Sequence, residues 1–313
     1  MSAIALIFPG QGSQEPGMGR DVAEAMPEAM DWWKKAERIS GLPLRDVYWE
    51  SDDAVLMADT RHLQPALTVV NVSLWMALAS SVTPACAAGH SLGEYSALAA
   101  AGVLDAEAVL ELVCLRGRLM AEADPDGRGG MAAVLKMPRQ AVEALAVKVA
   151  EETGQVLRVA NYNTPGQFVL SGDKAAVEAA LPLVKEQKGR AMPLAVSGAF
   201  HSPLMAGAAA ELNTTLSRLT WRKPRFAVYS NVTGQAVTDG ESLKELASRQ
   251  MTSSVLWIDT VANQYADGVR HWVEVGPKGV LSRMIKPIVD ETGQDDIRVD
   301  SLGTFEAIES FIA

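Results

Sequence analysis

The sequence predicts an α/β fold, a parallel sheet covered by helices on both faces, with a smaller domain inserted into it. Short apolar runs alternate with helical patterns before residue 125 and again after residue 198, which is typical of parallel sheets. Between these parts the predicted order changes to β-α-β-β-α-β. We therefore predict a large domain of residues 1–125 and 198–313 and an insert domain of residues 126–197.

The first half of the large domain alternates strands with helices. Glycine and proline end each predicted element, and Asp105 is a suitable N-cap for a helix from Ala106 to about Glu122. The elements before it are a buried strand AIALIF ended by Pro9-Gly10, a glycine-rich loop GQGSQEPGMG, a long helix QPALTVVNVSLWMALASS, a short strand ACAAG, and a helix SLGEYSALAAA closing at Gly102.

The insert follows the turn-rich stretch DPDGRGG. Its predicted order is that of the split, ferredoxin-like unit, with Pro138 at the first position of one helix and Asp173 capping the other. The elements are a strand MAAVLKM, a helix PRQAVEALAVKVAEE, strands VLRVANYN and QFVLSG, a helix DKAAVEAALPLVKEQ and a strand RAMPLAVS.

The large-domain pattern resumes after Gly198. A helix SPLMAGAAAELNTTLSRL is predicted with Ser202 as N-cap and Pro203 at its first position. Two further strands are predicted at RFAVYSN and HWVEVG, and the second leads into a helix PKGVLSRMIKPIV.

Composition excludes several classes of protein. The chain has 313 residues, 48% of them apolar, and a formal net charge of −10, which argues against a nucleic-acid partner. Cys86 and Cys114 lie in apolar segments without metal-ligand spacing, so we expect two buried core thiols. The N-terminus has no basic signal-peptide region, and no apolar stretch is long enough to span a membrane. We expect a soluble, cytoplasmic protein that does not bind membranes.

The stretch GHSLG places Ser91 between Gly89 and Gly93, directly after a predicted strand and before a helix. This G-x-S-x-G context is that of a nucleophile elbow, which exposes the serine Oγ at the end of a sheet. The helix N-terminus would stabilise an oxyanion, with the Leu92 amide as first donor. The alternative is that Ser91 only caps the helix, because Glu94 completes a capping box.

A serine nucleophile needs a base, and the chain has four histidines. His90 adjoins the serine and is expected to point to the opposite face, whereas His62 precedes a buried helix. We select His201, because it lies in a loop where the chain returns from the insert to the large domain. The alternatives are His271 as base, or His201 satisfied by a helix N-terminus.

Arg116 lies on the apolar stripe of its predicted helix, whereas Arg118 and Glu111 lie outside that stripe. An inward-facing arginine needs an anionic partner, since an unpaired buried charge is costly. The partner is either an internal Asp or Glu, in a structural ion pair, or the carboxylate of a substrate.

The glycine-rich loop after the first strand does not fit a nucleotide site. Glu15 occupies the third glycine position of G-x-G-x-x-G, and Met18-Gly19 replace the Lys-Ser/Thr of a P-loop. The loop still follows the carboxyl end of a strand, where open α/β sheets place their ligands. Its glycines favour either close backbone approach to a ligand or a plain turn.

Taken together, these motifs resemble those of the malonyl-CoA:acyl carrier protein transacylases. The chain is similar to that family in FPGQGSQ, GHSLGEYSAL, Arg116 twenty-five residues after the serine, GAFHSPLM and SRQMTSSVLW. The resemblance covers essentially the whole chain. It implies an α/β-hydrolase-like large domain with a ferredoxin-like insert.

The resemblance also implies a ping-pong acyl transfer. Ser91 would attack the thioester of malonyl-CoA with His201 as base, and the amides of Gln11 and Leu92 would hold the oxyanion. The backbone carbonyl of Gln250 would orient the histidine in place of an aspartate. Coenzyme A would leave, and the phosphopantetheine thiol of acyl carrier protein would take the malonyl group. No cofactor or metal is implied.

Two residues would set the substrate. Arg116 would hold the free carboxylate of malonate, and Phe200 would disfavour a branched methylmalonyl group. An acidic carrier requires a local basic patch, for which the sequence offers candidates: Lys185, Lys188, Arg190, Lys278 and Lys286. The alternatives are malonyl transfer in a malonate decarboxylase or polyketide system, a serine thioesterase or esterase, and a non-enzymatic carrier-binding scaffold.

Overall fold

The computed structural model describes residues 3–196, 198–292 and 296–313. Its strands are β1 (Ala3–Phe8), β2 (Cys86–Gly89), β3 (Gly129–Leu135), β4 (Leu157–Thr164), β5 (Gln167–Asp173), β6 (Arg190–Pro193), β7 (Ala227–Tyr229), β8 (Ala236–Val237), β9 (Val269–Val275) and β10 (Arg298–Leu302).

The α-helices are α1 (Arg20–Ala25), α2 (Pro27–Ser40), α3 (Ala54–Ala58), α4 (Thr60–Leu78), α5 (Gly93–Ala100), α6 (Ala106–Glu122), α7 (Arg139–Thr153), α8 (Lys174–Glu186), α9 (Ala206–Leu216), α10 (Gly240–Gln250), α11 (Trp257–Ala266), α12 (Ser282–Val289) and α13 (Phe305–Ile312). A π-helical turn forms at Asp46–Glu50, and 3₁₀ turns form at Pro203–Met205, Pro277–Gly279 and Asp290–Thr292.

The larger sheet confirms the predicted parallel arrangement. Its strand order is β10-β9-β1-β2-β7-β8, in which β8 alone runs antiparallel to its neighbour within the described residues. Phe8 at the end of β1 lies opposite Gly89 at the end of β2. The glycine-rich loop and the Ser91 turn therefore emerge side by side at the carboxyl edge of the sheet.

Both faces of this sheet are covered. Along β1, Leu6 and Phe8 belong to one apolar cluster, while Ala5 and Ile7 belong to a second cluster on the opposite face. This alternation is expected for a central strand with helices on both sides. It explains why AIALIF reads as a continuous apolar run.

The second sheet is antiparallel, with strand order β4-β5-β3-β6. Helices α7 and α8 pack on it and enclose a separate apolar core. All four strands lie within the predicted insert range of residues 126–197. The two-sheet architecture confirms the fold class, while the boundaries at residues 125/126 and 197/198 stay a prediction.

Some predicted elements differ in their ends. The strand predicted to continue to Ser197 ends at Pro193, and Ser197 lies outside the described residues. Pro138 is the N-cap of α7 rather than its first residue. The predicted helix from Pro277 begins as a 3₁₀ turn, because Lys278 has a left-handed φ of 70°. The helix predicted after Ser202 likewise begins with a 3₁₀ turn.

Asp105 has a partner that the sequence pattern did not reveal. Asp105 occupies the N-cap position of α6, but its carboxylate pairs with Arg222 instead of capping the helix.

Cys86 is buried as predicted, whereas Cys114 is only half-buried, and both are free thiols. Among the helices described, none has the length and apolarity that crossing a membrane requires.

Candidate active site

A cavity of about 420 Å³ lies at the carboxyl edge of the parallel sheet, between this sheet and the antiparallel one. Open α/β sheets bind their ligands at this edge. The large-domain lining includes Gln11, Gln64, Ser91, Leu92, Arg116, Phe200 and His201, and the antiparallel sheet contributes Met131, Asn161, Asn163 and Val169.

Ser91 sits on a tight turn that only glycines permit. A Cβ on Gly93 would lie 1.9 Å from the Phe8 carbonyl oxygen, and one on Gly89 would lie 1.9 Å from the Gly93 carbonyl carbon. A Cβ on Gly10 of the first loop would also be too close to the backbone, at 2.3 Å from the His90 carbonyl oxygen. Ser91 itself has a left-handed φ of 50°. The turn therefore has the strained geometry of a nucleophile elbow.

The capping alternative for Ser91 does not match the structure. No side chain caps α5, and the Ser91 amide donates to Asn231 Oδ1 at 2.6 Å. The Glu94 carboxylate does not reach back to that amide, as a capping box requires. It accepts hydrogen bonds from Gln250 Nε2 and the Asn231 amide instead.

His201 lies against the serine. Its Nε2 is 2.7 Å from Ser91 Oγ, and its Nδ1 is 3.2 Å from the Gln250 carbonyl oxygen and 3.0 Å from that of Ser253. Carbonyl oxygens only accept hydrogen bonds, so Nδ1 carries the ring proton in the neutral imidazole. Nε2 is then free to accept the proton of the serine hydroxyl.

The pKa of His201 is lowered to about 3, chiefly by burial and then by electrostatic interactions with Arg116 and His90, while the hydrogen bonds to the two carbonyls act in the opposite direction. The ring is therefore neutral at physiological pH, the form that acts as a base. The other histidines have different partners: His90 Nε2 bonds to Asn163 Oδ1 at 2.9 Å, and His271 pairs with Asp300 at 2.6 Å.

Arg116 is 1% exposed and points into the cavity, whereas Arg118 on the same helix is exposed. The Arg116 Nη2 atom donates to Ser91 Oγ at 3.1 Å, and Nη1 donates to Gln64 Oε1 at 2.8 Å. Among the described residues, no carboxylate lies within ion-pair distance of this guanidinium, and its Nε has no hydrogen-bond partner. The internal ion pair considered from the sequence is therefore not present in this part of the chain.

Gln11 and Leu92 both line the cavity. Within the described ranges, neither backbone amide donates a hydrogen bond to the protein. Leu92 immediately precedes α5, where amides at the helix N-terminus favour negative charge. Their assignment as oxyanion donors stays a prediction.

Phe200 and Gln250 also lie where the sequence pattern placed them. Phe200 is 5% exposed and lines the cavity beside His201. Gln250 presents its backbone carbonyl to His201, and Ser253 shares this contact at a shorter distance. The roles of both residues, like that of the serine, histidine and arginine, stay predictions.

Sequence reasoning missed three polar residues of the site. Gln64 orients Arg116, Asn231 holds the Ser91 amide, and Ser253 contacts the His201 ring. Gln64 had a partial signal, because it is one of several polar residues within a helix that is buried along most of its length. Asn231 and Ser253 lie in loops whose sequence shows no such pattern. In the described ranges, no three His, Cys, Asp or Glu side chains are grouped to hold a metal ion.

Comparison with known proteins identifies the family. The acyl transferase domain family matches residues 5–306 of the chain. The chain belongs to the acyl transferase family. This assignment agrees with a site in which a serine hydroxyl, an imidazole and unpaired amides meet.

Relatives of this acyl transferase share its full length. The malonyl CoA-acyl carrier protein transacylase of Haemophilus influenzae is 40% identical over 316 residues, covering 100% of both chains. That of Bacillus subtilis is also 40% identical, over 92% of this chain and 91% of its own. A crystal structure of an acyl carrier protein S-malonyltransferase from Vibrio cholerae superposes with a TM-score of 0.91 at 36% identity. The match covers 99% of this chain and 100% of the other.

One solved structure includes a partner. It is described as a type II PKS acyl-carrier protein in complex with its malonyl-transacylase, and its matching chain is 34% identical with a TM-score of 0.91. The match covers 99% of each chain.

Proposed function

We propose that this acyl transferase moves the malonyl group from malonyl-CoA to the phosphopantetheine thiol of an acyl carrier protein, for fatty acid synthesis. The observation that carries the proposal is the position of Ser91 Oγ, which lies 2.7 Å from a neutral imidazole and 3.1 Å from a buried guanidinium. The first contact supplies a base, and the second supplies a partner for a carboxylate. The names of the full-length relatives support the same reaction.

In the first half-reaction, Ser91 Oγ forms a bond to the thioester carbonyl carbon while its proton moves to His201 Nε2. The amides of Gln11 and Leu92 stabilise the resulting oxyanion. The carbon–sulfur bond then breaks, and His201 returns the proton to the sulfur of coenzyme A. The product is a malonyl ester of Ser91.

In the second half-reaction, the phosphopantetheine thiol gives its proton to His201, and its sulfur attacks the ester carbonyl. The Ser91 oxygen leaves and recovers a proton from His201. The two steps balance with side chains and amides of the chain alone, so the proposed reaction consumes no cofactor.

Substrate choice rests on two cavity residues. Arg116 needs an anion in this dry environment, and the free carboxylate of malonate supplies one. Acetyl-CoA has no such group and would leave the guanidinium unpaired. Phe200 fills the space beside His201, which disfavours a branch at the acyl α-carbon.

Docking of an acidic carrier requires basic side chains near the cavity. Lys278 donates from Nζ to the carbonyl oxygen of Gly12 at 3.4 Å, and Gly12 lines the cavity. Lys185, Lys188 and Arg190 are exposed where α8 ends and β6 begins. Cytoplasmic location is part of the proposal, and the free thiols of Cys86 and Cys114 support it.

The proposal is tested by the intact mass of the protein after brief exposure to malonyl-CoA. We expect one malonyl adduct, mapped to Ser91 by peptide analysis, that disappears when holo acyl carrier protein is added. Ser91→Ala should carry no adduct. A malonyl adduct on Ser91→Ala protein would contradict the role of Ser91, and release of free malonate without any adduct would favour a hydrolase.

A carrier protein of polyketide synthesis is the second candidate acceptor. The observation that favours it is the solved malonyl-transacylase in complex with a type II PKS acyl-carrier protein. Discharge of the malonyl-serine by each purified carrier, compared at equal concentration, distinguishes the two acceptors.

A further inference from the structure

A buried carboxylate that the proposed mechanism does not use lies three residues after the serine. Glu94 is 3% exposed. Its Oε2 accepts a hydrogen bond from Gln250 Nε2 at 2.7 Å, and its Oε1 accepts a longer one from the Asn231 amide at 3.4 Å. Burying a carboxylate costs free energy, which these hydrogen bonds and one from the Ser230 side chain offset, so the burial of Glu94 requires a reason.

The side-chain amide of Gln250 connects this carboxylate to the site. Its Nε2 also donates to the Ser91 carbonyl oxygen at 2.9 Å, and its Oε1 accepts from Arg116 Nη2 at 3.2 Å. Both amide hydrogens and the amide oxygen therefore have partners. Turning the amide by half a rotation would point its NH₂ group at the guanidinium, so that two donors would face each other.

We propose that Glu94 is a positioning residue, which holds the side-chain amide of Gln250 in the one orientation that presents its oxygen to Arg116. The carboxylate is an acceptor on the NH₂ side of the amide, so it favours this orientation over the turned one. The Asn231 contact adds to this role, because the Asn231 side chain bonds to the Ser91 amide and the Gly89 carbonyl.

This inference rests on the proposed function, in which Arg116 receives the carboxylate of the substrate. The same Nη2 atom of Arg116 contacts Ser91 Oγ and Gln250 Oε1. When the amide turns, Arg116 loses one of its three acceptors, and its direction is then held only by Gln64 and Ser91. Malonyl transfer to Ser91 then slows more than acetyl transfer, because only malonate carries the second carboxylate.

The test compares the rates at which malonyl-CoA and acetyl-CoA acylate Ser91, followed by quenched intact mass. Glu94→Met has a similar volume but no acceptor, and we expect it to lower the malonyl-to-acetyl ratio of rates about tenfold. Glu94→Gln keeps one acceptor oxygen, so it should lower the ratio less, by about threefold. A ratio unchanged in Glu94→Met would overturn the inference.

Glu274 provides a matched control. It is fully buried and accepts hydrogen bonds from the amides of Leu281 and Ser282 at 3.1 and 2.6 Å, away from the cavity lining. Glu274→Met should alter the melting temperature and leave the ratio unchanged. An equal fall of the ratio in this control would show that any lost buried carboxylate has the same effect, and would overturn the inference.

If Glu94→Met does not fold, a double-mutant cycle decides the question. Glu94→Gln should lower the ratio about threefold in the wild-type background and leave it unchanged in Gln250→Met. Equal effects in both backgrounds would overturn the inference. A wild-type chain that forms no malonyl-serine would instead reject the proposed function, which keeps the two failures distinct.

Discussion

The turns that carry Ser91 and His201 differ in what holds them. Both residues have left-handed backbones, with φ of 50° and 58°. The Ser91 turn is fixed by close backbone packing around Gly89 and Gly93, against the end of β1. The His201 turn differs in that the antiparallel sheet also holds it, through the hydrogen bond from Ser171 Oγ of β5 to the Phe200 carbonyl at 2.7 Å.

The ring of His201 depends on the antiparallel sheet in a second way. Arg158 of β4 donates to the Thr252 carbonyl at 3.1 Å and to Ser254 Oγ at 2.9 Å. These contacts hold the segment whose Gln250 and Ser253 carbonyls face the ring. The nucleophile is thus fixed by close backbone packing and by hydrogen bonds from Asn231 and Gln250 within the large domain, whereas the base also depends on contacts from the antiparallel sheet. Substitutions should affect the two turns differently.

The largest effect is expected at the Ser91 turn. Gly93→Ala places a Cβ 1.9 Å from the Phe8 carbonyl oxygen, a contact that backbone atoms relieve only by moving. We expect a loss of at least about 4 kcal/mol in the free energy of unfolding, measured by urea denaturation, or failure to fold.

Gly207→Ala is the control for this change. Gly207 lies in α9, and a Cβ there meets nothing within 4 Å. Because alanine favours helix over glycine, the variant should gain about 0.5–1 kcal/mol. Equal stability of the two variants would show that the Ser91 turn tolerates a side chain at Gly93.

An intermediate effect is expected at the His201 turn. Arg158→Met removes both hydrogen bonds to the segment of residues 252–254 while retaining the aliphatic stem. The carbonyls facing His201 become less well placed, and we expect Ser91 acylation by malonyl-CoA to slow about tenfold, with a smaller change in melting temperature.

Arg139→Met is the matched control, because Arg139 also joins the antiparallel sheet to the large domain. It pairs with Asp259 at 3.0 Å and does not contact the segment of residues 250–254. Its acylation rate should stay within about twofold of wild type. If Ser91 acylation slows equally in both variants, the cause is the weakened contact between the antiparallel sheet and the large domain, and not the placement of the carbonyls that face His201.

The smallest effect is expected in the pH dependence. The pKa of His201 is lowered to about 3, so protonation of this ring should reduce kcat/KM for malonyl transfer only below about pH 5, whereas a change near pH 7 would reflect Glu94, whose pKa burial raises to about 7. Arg116→Ala removes a positive charge that lowers this pKa, so its acid limb should move to higher pH.

Arg118→Ala, which removes an exposed charge on the same helix, should leave the acid limb of kcat/KM in place.

The lowered pKa of His201 also changes the stability of the folded chain with pH. Below about pH 6.5 the unfolded chain binds a proton at His201 that the folded chain does not, so this residue lowers the free energy of unfolding as pH falls toward 3. An acid limb near pH 6.5 that persists in Glu94→Gln would contradict the lowered pKa of His201.

Much of the fold and part of the site could be predicted from the sequence. The Ser91 turn was visible because its glycines and flanking strand and helix are contiguous in the chain. Arg116 was visible because the helical period places it on the buried face. Short edge elements such as β8 and β10 were missed, since a two-residue strand or a partly exposed one has no strong apolar pattern.

The sequence by itself determined the two sheets, the strained serine and the inward-facing arginine, because each depends on local spacing or on helical and strand periodicity. Only the tertiary structure decided which groups those residues meet. Asn231 lies 140 positions from Ser91, and Gln250 lies 134 positions from Arg116. Such partners are brought together by the packing of distant segments, for which a single sequence has no local signal. Within the described residues, the same packing places no carboxylate within ion-pair distance of Arg116, which supports the proposal that a substrate carboxylate is its partner.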